Sequence, residues 1–277
     1  MTTEKKESYP SVSQSFGIVG IIILSMLVFS PVMIIIDHLI GKEIAFLVYY
    51  IFSMGAPFLI INSVRKKKTQ SGSNTFDLSL DNFKVVLLIT VTIIAIQIGF
   101  ISPIVNSMPV PEFMQQMFME LASQNGVLSF ITLVIAAPIL EELIFRGIIL
   151  DGLLKRYSPV KSIIISSVLF GIVHLNPWQF ISAVIIGFFI GWVYYKTRKL
   201  SLAILIHMTN NFLAFIMMRF TTPEEMFSTP LVESYGGGLP VFIIVTFGAI
   251  GVAILGILYL KKSFNIADAT NSRTNEI

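Results

Sequence analysis

Long apolar runs, broken by short polar segments, set the pattern of this chain. Eight runs reach or approach the length of a membrane-crossing helix: 17–36, 44–61, 85–101, 127–150, 162–175, 178–195, 200–218 and 239–260. The pattern predicts an all-α, polytopic integral membrane protein of about eight transmembrane helices. The polar segment 65–81, RKKKTQSGSNTFDLSLD, links the second and third runs. In the link 102–126, Phe113, Met114, Met117, Phe118 and Leu121 recur at helical spacing. That spacing fits a short amphipathic helix, either on the membrane surface or packed as a loop helix. From Lys261 the chain turns polar, and a disordered tail is expected there. The organisation expected is an N-terminal transmembrane region over 1–126, a core over 127–218 that holds the polar residues of the spans, and a last span with its tail over 219–277.

Composition agrees. The chain is 55% hydrophobic and only 13% charged, against roughly 25% charged in soluble domains. A net charge of +3 does not point to a nucleic-acid partner. Cysteine is absent, which removes disulfides, thiolate metal sites and a cysteine nucleophile. The first run follows a polar N-terminus without a small-residue cleavage site, so a retained span is expected in place of a signal peptide. With eight spans and a cytoplasmic N-terminus, Lys and Arg fall on the cytoplasmic side except Lys42 and Arg219 outside and Arg146 within a span. This satisfies the positive-inside rule at every loop and puts both termini in the cytoplasm.

The fourth run departs from a plain anchor. It reads AAPILEELIFRG over 136–147, with Glu141, Glu142 and Arg146. A charge near the centre of a membrane helix costs about 2.5–3.5 kcal/mol on insertion scales, so these three need partners inside the protein. Glu142 and Arg146 are i,i+4 and can pair on one face. Glu141 is turned about 100° from Glu142 and faces another neighbour. Pro138 can kink the helix and free a carbonyl near Glu141. Two of the three histidines also lie in spans. His174 ends FGIVH in the last turn of the fifth, before Asn176-Pro177; His207 begins HMTNN in the seventh, with Asn211 one turn on and Asn210 its weaker rival. His38, beside Asp37, reads as structural. A straight-helix rise of about 1.5 Å per residue puts Glu141 and His174 roughly 20 Å from the inner basic residues and His207 roughly 12 Å, so one shared layer needs a tilt of the seventh span.

A carboxylate, two histidines and an amide around a cavity suit hydrolysis by a base-activated water with hydrogen-bond donors for the oxyanion. The same Glu141, His174 and His207 could instead ligate zinc, although the helical H-E-x-x-H pair is missing. An aspartyl-type dyad does not fit, because adjacent acids on one helix diverge. A serine design does not fit either, because the one SGS, 71–73, lies in the polar link.

EELIFRG, FGIVH and HMTNN, in that order and each in a predicted span, resemble the motifs of the CPBP family. These are the type II CAAX prenyl proteases and bacteriocin-processing intramembrane proteases, also called the Abi family. The resemblance covers about residues 127–215. It implies a helical bundle with a catalytic cavity inside the bilayer and intramembrane endopeptidase activity on membrane-associated peptides or proteins. By that carry-over Glu141 and His174 activate water, His207 and Asn211 hold the oxyanion, and Glu142 and Arg146 brace the site. The family has been described both as metalloproteases and as glutamate proteases. The lack of sulfur and of H-E-x-x-H, with the Asn211 amide beside His207, favours the metal-independent form; zinc on Glu141, His174 and His207 is the alternative. A bacterial cytoplasmic membrane is the expected location, with pheromone maturation, bacteriocin processing or self-immunity as family-level roles. A second class of reading is a non-enzymatic scaffold, immunity protein or small transporter that uses the same polar cluster for binding.

Overall fold

Inside a bilayer a backbone must satisfy its own hydrogen bonds, and an apolar run does so as a helix. The computed structural model describes residues 8–69, 76–123, 126–220, 225 and 229–274, with side chains described as far as 265. Among these residues the chain is helical, with one isolated bridge between Asp77 and Lys199 in place of any strand. The principal helices are α1 (Val12–Ile40), α2 (Lys42–Thr69), α3 (Phe83–Asn106), α4 (Glu112–Ser123), α5 (Val127–Leu154), α6 (Pro159–Ile172), α7 (Pro177–Thr197), α8 (Leu200–Phe220) and α9 (Gly238–Thr274).

Seven of these are long and apolar enough to cross a membrane, and the fold is that of an all-α polytopic membrane protein. The fifth apolar run is shorter than a span. α6 has 14 residues, about 21 Å of helix against roughly 30 Å of hydrocarbon. Its limits are local. At the start Ser158 caps the helix, its hydroxyl accepting from Lys161 N, and Pro159 takes the first helical position. At the far end Leu175 turns left-handed (φ 57°), and Asn176 caps the new helix at Pro177. His174 therefore sits just beyond α6, in the turn to α7, and not in a last helical turn. The tail also differs from expectation. α9 continues through the polar residues to Thr274, since no Gly or Pro follows Gly256 to stop it. The SGS at 71–73 lies outside the described residues.

α5 is the central element. From Ile144 to Leu150 every residue is buried, so the helix is enclosed on all sides there. On one side Phe145, Ile148, Ile149 and Leu153 join a core from α1, α2 and α6, including Ile18, Ile22, Met54, Ile61 and Leu169. On the other, Leu150 joins a core from α3, α7, α8 and α9, including Ile89, Ile93, Ile190, Leu202 and Ile206. By contrast α1 and α9 expose Leu24, Leu27, Ile34, Ile244 and Phe247, as lipid-facing helices do.

α2 and α5 run parallel and are fastened at three levels. At the start Glu43 accepts from Gly126 N (2.8 Å) and Ser129 Oγ (3.2 Å). Midway the Tyr50 hydroxyl donates to Glu141. At the far end Arg65 donates to the Gly147 carbonyl (2.7 Å) and to Asp151 (2.9 Å). α4 is amphipathic. Met114 and Ala122 are buried while Phe113 and Met117 are exposed. It is held by Phe118 edge-on to Trp178 (6.1 Å between centroids) and by Glu120 on Lys42 (2.6 Å).

Candidate active site

The backbone of α5 prepares the site. Wide π-helical turns at Ile131–Ala136 and Phe145–Leu150 flank the ordinary helix Ala137–Ile144 that carries both glutamates. Such bulges re-aim side chains and concentrate at functional sites. The first bulge has an identifiable cause. Ala137 N–H bonds five residues back, to Thr132 O; the next rung would run from residue 138 to Leu133 O, and Pro138 has no N–H to give. The orphaned Leu133 carbonyl is taken by the Asn211 side chain of α8, whose Nδ2 donates to it at 2.9 Å. The freed carbonyl expected from Pro138 is thus that of Leu133, and Asn211 fills it.

The charges meet inside the bundle. Glu142 and Arg146 are completely buried. Arg146 Nη1 donates to Glu142 Oε1 (2.9 Å), Nη2 donates to the Gly187 carbonyl of α7 (3.2 Å), and the guanidinium lies 4.6 Å over the Phe170 ring. Gly187 suits this place, because α6 comes so near that a Cβ there would stand 3.0 Å from Ser167 Cβ. Arg146 therefore ties α5 to both α6 and α7. His207 of α8, 5% exposed, reaches both glutamates: Nδ1 is 2.9 Å from Glu142 Oε1 and Nε2 is 3.8 Å from Glu141 Oε2.

The partners decide the histidine tautomers. A carboxylate oxygen already receiving Arg146 accepts from His207, so Nδ1 carries a proton and the neutral ring has its lone pair at Nε2. His174 Nδ1 is 2.9 Å from the Phe170 carbonyl, which only accepts, so its lone pair is at Nε2 as well. Facing Glu141 Oε2, a neutral Nε2 would set acceptor against acceptor. Arg146 and His207 are the partners that the two buried carboxylates meet inside the bundle. This compensation answers the cost of three charges in one apolar helix.

Placement of the sequence-derived residues is uneven. Glu141, Glu142, Arg146 and His207 form one contact network. His174 joins through Phe170, whose ring stands edge-on to His174 (5.2 Å) and to His207 (5.4 Å). Asn211 is one turn along α8 from His207, and Asn210 Nδ2 donates to its Oδ1 at 3.3 Å. Phe170, the first residue of FGIVH, is the shared wall of Arg146, His174 and His207. One group escaped the sequence: Tyr50 donates to Glu141 Oε1 from outside all three motifs. Glu141 Oε2, also buried, has no donor.

Glu141, His174 and His207 are not gathered here into a ready three-ligand zinc set. Among the described residues no three His, Asp or Glu side chains are grouped to hold one ion. Nδ1 of His174 is taken by the Phe170 carbonyl and Nδ1 of His207 by Glu142, which leaves Nε2 of each ring as its open nitrogen.

Fold and site together define a polytopic membrane protein with a buried Glu–His–Arg network on its central helix. Residues 123–213 match the family model described as type II CAAX prenyl endopeptidase Rce1-like. A Bacillus subtilis (strain 168) protein named "Putative membrane peptidase YdiL" is 36% identical over 83 residues, covering 30% of this chain and 34% of that protein. The aligned part is thus about a third of the relative's length. No solved structure matches the chain. The matched residues 123–213 hold Glu141, His174, His207 and Asn211.

Proposed function

We propose that this protein is an intramembrane endopeptidase that cleaves membrane-associated peptides or proteins with a Glu141-activated water. One observation carries the reading: Glu141 Oε2 is buried without a donor, 3.8 Å from His207 Nε2. A water entering there meets a base on one side and an imidazole on the other. In the reaction, Glu141 takes a proton from the water while His174 Nε2 accepts its second hydrogen. The hydroxide oxygen adds to the carbonyl carbon of the scissile bond. The oxyanion takes hydrogen bonds from doubly protonated His207 at Nε2 and from the second N–H of Asn211. Glu141 then returns its proton to the amide nitrogen as the C–N bond breaks. Glu142 and Arg146 hold His207 and the helices in register. The family match and the name of the relative support the peptidase class. With the short α6 counted as a crossing beside the seven longer helices, the Lys and Arg distribution supports cytoplasmic termini, and the proposed location is a bacterial cytoplasmic membrane.

The test is cleavage of a membrane-anchored reporter peptide by purified protein in proteoliposomes, beside Glu141→Gln. Equal rates for the two proteins would overturn the peptidase reading and leave the cluster as a binding or scaffolding feature. The metal question has its own readout. After exhaustive chelation, with metal content measured, cleavage is expected to stay within about twofold of the starting rate, below the tenfold that 1.4 kcal/mol represents. Stoichiometric zinc, with activity lost on its removal and restored on its return, would make Glu141, His174 and His207 ligands instead.

A further inference from the structure

We propose that Tyr50 is a positioning residue for Glu141, a role that rests on the peptidase reading above. Tyr50 lies on α2, outside the family-matched segment 123–213 and outside the three motifs. It belongs to the α2 face buried against the bundle, with Met54, Pro57, Ile61 and Arg65. Most of that face is apolar, and an aromatic there needs no hydroxyl to pack. The Tyr50 hydroxyl is nevertheless buried and donates to Glu141 Oε1, while Phe46 packs edge-on to its ring at 6.2 Å.

The consequence for Glu141 is an asymmetric carboxylate. Oε1 is occupied by a neutral donor that cannot supply a positive charge, and Oε2 is left without a donor toward His207. A carboxylate free to rotate about its terminal bond would present either oxygen, at varying angles. Fixed by Tyr50, it presents one oxygen in one plane, the condition for a base that must meet a water held by two histidines. The ring itself is fixed because α2 is anchored on either side of Tyr50, by Glu43 at Gly126 and Ser129 and by Arg65 at Gly147 and Asp151. The N-terminal helices thus complete a site whose other members lie elsewhere.

The experiment compares wild type, Tyr50→Phe, Tyr49→Phe and Glu141→Gln in the reporter assay. Tyr49 is the control: it is next in sequence and its hydroxyl goes to the Met26 carbonyl at 3.4 Å, away from the site. Tyr50→Phe is expected to lower kcat by about ten- to a hundredfold, the range for losing one hydrogen bond to a charged group, with KM within about twofold. Tyr49→Phe is expected to match wild type. If wild type cleaves, Glu141→Gln does not, and folded Tyr50→Phe keeps the wild-type kcat, the Tyr50 role is overturned while the peptidase reading stands. If wild type and Glu141→Gln behave alike, the peptidase reading falls instead. An infrared measurement needs neither activity nor the Phe variant. With 3,5-difluorotyrosine at position 50, whose hydroxyl is the stronger donor, the Glu141 carboxylate band, identified by its loss in Glu141→Gln, is expected to shift. A band that does not move overturns the contact.

Discussion

Glu141→Gln is expected to lower kcat by about a thousandfold, within the range for removing a general base, while leaving the protein folded. The substitution keeps an oxygen for the Tyr50 hydroxyl and nearly the same volume. What it loses is the oxygen near His207 Nε2 and the ability to take a proton from water. Glu142→Gln should behave in the opposite way. Its amide oxygen can still receive His207 Nδ1, so cleavage per folded molecule is expected to fall only about tenfold. It removes the charge opposite a fully buried Arg146, however, so stability suffers. The two acids are thus separated by two readouts, kcat per folded molecule and thermal unfolding in mild detergent. A folded but inactive Glu142→Gln beside an active Glu141→Gln would reverse the roles.

The Glu142–Arg146 pair was legible in the sequence, because it follows from helix periodicity alone; the same periodicity turns Glu141 away from Glu142, yet His207 reaches both. The shared face of His207 and Asn211 follows from it too. Helix arithmetic names a face, however, not the partner on it. It could not say that His207 Nδ1 would meet Glu142 and only Nε2 would approach Glu141. Asn211 shows a second limit. Its bond to Leu133 O exists because the helix widens before Pro138, and a wide turn has no signature in residue order beyond the proline. Tyr50 shows a third. It stands beside Tyr49 in an ordinary apolar run, and only the packing of α2 on α5 separates the residue that touches Glu141 from the one that touches Met26. The shortness of α6 was encoded in Ser158-Pro159 and Asn176-Pro177, but an apolar run by itself states composition and not where a helix stops.

Arg146→Met is expected to cost about 3–5 kcal/mol of stability, the largest loss from any single substitution considered for this bundle. Met approximates the length and apolar bulk of the side chain, so packing against Phe170 is largely kept. The loss comes from what is left behind. Glu142, with no exposed surface, would keep its charge without the guanidinium, and the Gly187 carbonyl would lose its donor. The contact over the Phe170 ring, 4.6 Å from the guanidinium carbon, goes as well, a term of about 2 kcal/mol or less. If the uncompensated charge dominates, neutralising the partner should restore stability. The double variant Glu142→Gln, Arg146→Met is therefore expected to be more stable than Arg146→Met alone. The amide that replaces the Glu142 carboxylate can still accept from His207, and no buried ion is left unpaired between the two positions. The measurement is reversible unfolding, or melting in one fixed detergent, for wild type, both single variants and the double. If the double is as unstable as Arg146→Met, the cost lies in the lost contacts to Gly187 and Phe170, and Arg146 serves mainly to tie α5 to α6 and α7. If it recovers, the pair is a charge balance that lets α5 carry Glu141 into the membrane. That balance also predicts the order of damage: breaking the pair from either side first harms the fold, whereas removing Glu141 harms only the chemistry.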